Sequence, residues 1–524
     1  MCIIIKDVWI ECENGGRMSI KRLIQMGING IYGFLISLIL ISLLQYTNGS
    51  NELVNLIPLE NWFVLLIVSI LMSGLVYFIR SKNINLSISS KKMKQILILS
   101  SIIVFIIQVF FAYQIYFYTG WDASAVRNAA FYFIEHPQKI AQYFNLYFSY
   151  HTNQTTITVF LGLIMRFFKL LGVTNVYFGT IVFSILSVNL TTLFISLSMN
   201  QFIENKLNVI LGFLLCTFLC SFSPWITIPY SDTYMMFFAS FAFYLYLNLK
   251  GKSSDLLIWF IIFTSIFIGS LIKPQTLIMG IAILLYEFTF KRKDSIKQEF
   301  IRLISVSLIV ILTFFLSSQV QKSLVEMGQF KQDPEYSFTL PHYLMVGLNP
   351  DSYGAYVAED AEISYGQFTI EDREAKNFEI IKERIDYLNQ NGWISFLVNK
   401  AVVNFNDGSF AWGREGDFYQ EIFEKDNLFA NALRSYFYHD GDTFESFLLL
   451  RQILWMIVLT LMATSLFNRK KDEEIFVQII CIGIILFNMI FEARARYLFA
   501  YVPYFVLLAT LSFNDLVDFS GKKG

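Results

Sequence analysis

Apolar runs long enough to cross a bilayer recur along this chain and limit what it can fold into. They fall at 23–46, 62–79, 96–117, 155–171, 176–199, 208–224, 234–249, 256–272, 276–290, 301–318, 448–466, 475–490 and 497–511. In hydrocarbon every backbone N–H and C=O must find a partner within the segment, so such runs become helices. About 20 helical residues reach across a bilayer. Composition agrees. Of 524 residues, 55% are hydrophobic and 15% charged, against about a quarter charged in soluble domains. Mean hydropathy is +0.52. The predicted fold class is an all-α polytopic membrane protein with about 12 transmembrane helices, interfacial helices and a mixed extracytoplasmic segment.

Charge placement orients the chain. Basic residues in short loops favour the cytoplasm. "RSKNINLSISSKKMK" (Arg80–Lys94) is therefore expected inside. The basic stretches at 249–252, 291–297, 468–471 and 521–524 join it only if a run among those above fails to cross. The run 155–171 is short and carries Arg166 and Lys169, so it is read as lying in the outer interface. Both termini are then cytoplasmic. Residues 18–318 form an N-terminal transmembrane region with a first outer loop at 118–175. Residues 319–447 form an extracytoplasmic segment and 448–513 the C-terminal transmembrane helices. The segment 319–447 is too long for a bare loop. Within it, "TIEDREAKNFEIIKERIDYLNQNG" reads as a helix capped by Thr369 and ended by Gly392, and Trp393 to Phe405 as an amphipathic interfacial helix.

Several classes are disfavoured. A net charge of -1 argues against nucleic acid as a partner. The five cysteines avoid the large polar segment, so no disulfide framework is expected, and Cys216 and Cys220 read as packing residues. No cleavable leader is expected; the "GGR" before Met18 is codable by a purine-rich stretch, which leaves Met18 as an alternative start to Met1. There is no Walker loop and no glycine-rich dinucleotide motif.

Charged residues gather on the predicted outer side. Asp122 follows Trp121 where the third run leaves the bilayer, and reads either as a general base or as a helix N-cap. Asp232 in "PYSDT" is a second boundary acid, with the same capping alternative. Lys273 in "IKP" opposes the positive-inside trend and reads as a phosphate contact or a snorkelling side chain. Glu492, Arg494 and Arg496 in "FEARARYLFAYVP" suit a phosphate clamp, or a salt bridge at the interface. Tyr147, Tyr150, His151 and Asn153 are polar and aromatic groups of the kind that line sugar sites; the alternative is an interfacial aromatic belt.

In their order and shared outer side, "GWDA", "PYSDT", "IKP" and "EARARYLFAYVP" resemble the GT-C superfamily of integral-membrane glycosyltransferases. That group includes protein O-mannosyltransferases and aminoarabinose transferases. The resemblance spans residues 96–511. It implies a polyprenyl-phosphate sugar as donor and a glycan, lipid or protein of the cell envelope as acceptor. It implies Asp122 as catalytic base, Asp232 as the second acidic position, and Lys273, Arg494 and Arg496 as donor-phosphate ligands. Glu492, Tyr150, His151 and Asn153 are possible substrate contacts. The paired acid of metal-using members is replaced by "SDT", so no metal ligands and no cofactor are predicted, with a divalent metal as the alternative. The expected location is a bacterial plasma membrane with the active site on its outer face. Two other readings remain: a transporter or flippase of a lipid-linked sugar, and a non-catalytic membrane assembly protein.

Overall fold

The computed structural model describes residues 9–11, 17–45, 55, 59–249, 255–291, 295–423, 425, 427–467 and 471–518. Each apolar run becomes a helix. Eight helices among the described residues are long and apolar enough to cross a membrane: Lys21–Leu44, Asn61–Ser81, Ser90–Ile115, Val176–Phe202, Asp255–Ile272, Lys297–Met327, Phe444–Thr464 and Asp472–Ile490. Shorter apolar helices occupy Lys206–Ser221, Pro274–Phe290 and Trp393–Phe405. Ser231–Leu247 and Val502–Asp518 have 17 residues each. Leu71 and Ile311 are each 64% exposed, as suits helices that face lipid rather than water.

Prolines set the breaks. Pro274 cannot donate to the preceding turn, so one helix stops at Ile272 and another restarts at Leu277. The run at 497–511 splits for a similar reason. A short helix Arg496–Phe499 is followed by Val502–Asp518, with Pro503 in its first turn. The helix Ile296–Met327 continues past Ser318, so the boundary expected at 319 falls inside a helix.

Polar contacts tie the helix ends into two layers. At one end Lys21 pairs with Asp472 at 2.7 Å, Asn200 donates to the Ser90 carbonyl at 3.0 Å, and Asn208 donates to Asn514 at 2.9 Å. The basic stretch Arg80–Lys94 lies in this layer. At the other end Asn406 donates to the Ser42 carbonyl at 2.9 Å, Gln452 to Asn61 at 2.7 Å, and Tyr438 to the Ile115 carbonyl at 2.8 Å. The first loop and the 319–447 segment sit at this second end.

That segment has its own small core of Met345, Val346, Ile380, Ile381, Leu388 and Phe396. Thr369 caps the helix Ile370–Asn391 by accepting from the Asp372 amide, and Gly392 at φ 101° ends it. Trp393–Phe405 follows as a helix. Two short strands, Phe117–Tyr118 and Glu421–Ile422, pair antiparallel and join the first loop to this segment. The helix Gln154–Leu170 stays with the first loop: Lys169 lies 3.6 Å from Glu135, and Phe160 packs edge-on to Tyr234 at 5.4 Å.

Residues 250–252, 292–294, 468–470 and 521–524 of the basic stretches lie outside the described residues, as do Cys2, Cys12 and most of the chain before Met18. Cys216, Cys220 and Cys481 are buried free thiols.

Candidate functional site

The charged residues of four separate sequence stretches meet at the second end of the bundle. Asp232 lies in the first turn of Ser231–Leu247, where the helix dipole favours an anion. Tyr230 holds the N-cap position, with no side-chain cap, so Asp232 is free to pair with Lys273. Lys273 ends the helix Asp255–Ile272, where a cation is favoured, and its ammonium lies 4.3 Å from the centre of the Tyr497 ring. Arg496 stands 3.6 Å from the other Asp232 oxygen.

Glu415 binds both arginines. Its carboxylate pairs with Arg494 and lies 3.1 Å from Nε of Arg496. Arg494 also pairs with Glu492 at 2.5 Å, and the Tyr497 hydroxyl donates to Glu492 at 3.3 Å. The result is a continuous chain of alternating charge from Lys273 to Glu492. It is dry: Asp232 and Arg496 are each 4% exposed. Burial alone would raise the Glu415 carboxyl, but Arg496 and Arg494 outweigh it and hold that group below its usual range. Burial likewise pulls the arginines down, and Glu415 with its fellow acids holds both above their usual range. Burial lowers Lys273, which Asp232 offsets only in part. Oδ2 of Asp232 and Nε and Nη1 of Arg496 make no hydrogen bond of good geometry and are held by the ion pairs alone.

The first loop closes over this cluster. Gly120 holds the N-cap position of Trp121–Glu135 without a side-chain cap, and Asp122 lies in the first turn. Asp122 is therefore not the cap; it accepts a hydrogen bond from the Tyr147 hydroxyl at 3.0 Å. Trp121 adopts φ 43°, a conformation strained by about 1–3 kcal/mol for a residue other than glycine. Its surroundings hold it there. The indole N–H donates to Thr119 at 2.7 Å, the ring meets Tyr230 edge-on at 4.8 Å, and the Arg496 guanidinium lies 4.2 Å from its centre.

The other expected contacts divide. His151 ends the helix Ile140–Tyr150 with its ring 4.8 Å from that of Tyr147, on the Asp122 side. Burial lowers its basicity, against the pull of Asp122 and Glu492. Tyr150 turns away under the 319–447 segment, packed edge-on to Tyr365 at 4.5 Å with Arg373 at 5.8 Å. Asn153 is exposed and, among the described residues, no hydrogen bond joins it to the cluster. Among those residues no group of three or more His, Cys, Asp or Glu is arranged to hold a metal ion.

Sequence reasoning marks the stretch 406–418 as suited to sugar contacts but assigns no individual role to Glu415 or to the Trp121 platform. The signal for Glu415 was available: "GREGDF" places one acid between glycines in a segment that must turn sharply. Its pairing with residues about 80 positions away was not visible, because ion pairing across the chain has no periodicity to read.

The fold and this cluster define a polytopic integral membrane protein with a buried ionic site at one end of its helices. The chain belongs to the family described as conserved hypothetical integral membrane protein, whose profile matches residues 20–517. Comparison with curated proteins gives no match, and comparison with solved structures gives none either.

Proposed function

We propose that this protein is a GT-C-like glycosyltransferase that moves a sugar from a polyprenyl-phosphate donor to an envelope glycan, lipid or protein. The observation that carries the reading is the joining of Asp122 to the basic cluster: Trp121, its neighbour, lies against Arg496. An acid able to take a proton and cations able to hold a leaving phosphate thus share one site.

In the proposed reaction the acceptor hydroxyl attacks the anomeric carbon and Asp122 takes its proton. The bond from that carbon to the phosphate oxygen breaks, and polyprenyl phosphate leaves with the electron pair. Lys273, Arg494 and Arg496 stabilise the charge that grows on it. A single displacement inverts the anomeric centre. The ion-pair chain holds Asp232, Glu415 and Glu492 against Lys273, Arg494 and Arg496, so each cation is already matched by an acid. A phosphate therefore enters by taking the place of Glu415 between the arginines rather than by adding to the cluster.

About twelve helices cross in this reading, counting Lys206–Ser221, Ser231–Leu247, Pro274–Phe290 and Val502–Asp518 with the longer ones. The helix Gln154–Leu170 lies in the outer interface. Arg80–Lys94 faces the cytoplasm of a bacterial cell with both termini, and the site opens on the outer face of the plasma membrane. A carrier would want ionisable groups along a path through the bundle. The network of Ser101, Gln108, Asn189 and Ser221 is neutral; the buried charges in the helices are spent locally, Arg451 on the Gly408, Phe218 and Leu219 carbonyls and Glu287 on Arg302. The test is purified protein in liposomes with a polyprenyl-phosphate [14C]hexose and an envelope extract. Release of polyprenyl phosphate with label passing to the extract supports transfer; an intact donor for every hexose tried overturns it.

A further inference from the structure

Asp122 receives one side-chain hydrogen bond among the described residues, from the Tyr147 hydroxyl to Oδ1 at 3.0 Å. An ionised carboxylate has about four acceptor positions on two oxygens. A single donor on Oδ1 fixes the rotation of the group and leaves Oδ2 to meet a ligand. Asp122 is only half-buried, whereas the acids of the ion-pair chain are committed to cations.

Tyr147 is itself firmly placed. Its ring packs edge-on to Phe148 at 5.1 Å and against His151 at 4.8 Å. The short helix that bears it, Ile140–Tyr150, is pinned to the outer segment. The Phe338 amide donates to the Tyr150 carbonyl at 3.0 Å, the Asp333 amide to the Ser149 hydroxyl at 2.8 Å, and the Gln332 side chain to the Phe148 carbonyl at 3.0 Å. The phenol keeps its proton. Burial first, and then the neighbouring Asp122 charge, raise it well above its ordinary value, so it donates throughout the physiological range.

Resting on the transferase reading above, we propose that Tyr147 is the positioning residue for the general base. Its hydroxyl holds Oδ1 of Asp122 so that Oδ2 is presented to the acceptor hydroxyl. The outer segment, through its grip on Ile140–Tyr150, sets that geometry. A base misplaced by about 1 Å loses on the order of 100-fold in rate. Tyr147→Phe keeps the ring and removes only the donor, so kcat falls about 10- to 100-fold while KM for the donor is unchanged.

The test has two arms. In the first, 3-fluorotyrosine is placed at position 147 of the full chain in nanodiscs, and its 19F resonance is compared with and without Asp122→Ala. The expected result is a clear shift; an unmoved resonance overturns the contact whatever the activity. In the second, turnover of a polyprenyl-phosphate [14C]hexose is measured for Tyr147→Phe, Asp122→Asn and the double variant. Positioning requires that Tyr147→Phe cost nothing further in the Asp122→Asn background. Costs that multiply, or a rise in KM with kcat unchanged, assign Tyr147 a packing role and overturn the proposal. If Asp122→Asn leaves turnover intact, the transferase reading falls and the positioning role falls with it, while the resonance still records the contact.

Discussion

The guanidinium of Arg496 lies 4.2 Å from the centre of the Trp121 ring, although 375 positions separate them in the sequence. The cation lies over the indole and turns Nη1 toward Asp232 and Nε toward Glu415. Lysine can supply the charge here but neither the plane nor the fork. Arg496→Lys should weaken binding of a polyprenyl-phosphate sugar at least about 10-fold, equivalent to roughly 1.4 kcal/mol. Binding to protein in nanodiscs, followed by intrinsic tryptophan fluorescence, measures it. Arg494→Ala should weaken binding as well; unchanged affinity in both variants would remove the phosphate clamp.

Gly120 should tolerate no side chain. Its amide donates to the Asp417 carbonyl at 2.8 Å, and a Cβ on Gly120 would stand 2.5 Å from that same oxygen. Asp417 has little freedom to yield, since it sits at φ 51° just before the strand Glu421–Ile422. Gly120→Ala should push the first loop off the 319–447 segment and cost about 1–3 kcal/mol. A thermal melt in detergent should show the loss, together with weakened donor binding as Trp121 leaves Arg496. A melt equal to wild type would show that the two segments are not wedged together.

Acid should loosen the 319–447 segment through His342. This ring is buried, stacks on Phe338 at 4.0 Å and shares a 2.8 Å hydrogen bond with Ser364. Burial, aided by His151, lowers its pKa to about 4. The unfolded chain takes up a proton near pH 6.5 and the folded chain does not. The stabilisation is complete above about pH 6.5 and is lost as pH falls toward 4, by at most about 3 kcal/mol. The melting temperature should drop over that window, and His342→Asn should flatten the drop. An equal slope in the variant would assign the acid sensitivity to other groups.

Much of the fold was legible because bilayer and helix impose strong periodic demands. Apolar runs such as 176–199 and 256–272 became helices within a few residues, and Thr369 and Gly392 capped and ended their helix as composition suggests. The meeting of Asp122, Asp232, Lys273, Arg494 and Arg496 at one end followed from sidedness alone. The rest depends on long-range contacts that leave no local trace. A two-residue strand pair is too short for alternation to show. The N-cap positions considered for Asp122 and Asp232 fell to Gly120 and Tyr230, with no side-chain cap at either, and the carboxylates meet Tyr147 and Lys273 from elsewhere in the chain instead. Tyr150 has the same chemistry as Tyr147 three residues earlier, yet it faces Tyr365 and Arg373 instead of the site.

The central claim is that Asp122 acts on the acceptor while the basic cluster holds the donor, and one comparison separates those duties. Asp122→Asn is nearly isosteric and can still accept from Tyr147, but it cannot take a proton from a hydroxyl. In nanodiscs the variant should bind a polyprenyl-phosphate hexose within about twofold of wild type and lose at least about 100-fold in label transfer to an envelope extract. Transfer at the wild-type rate, or loss of binding in step with transfer, would contradict the account.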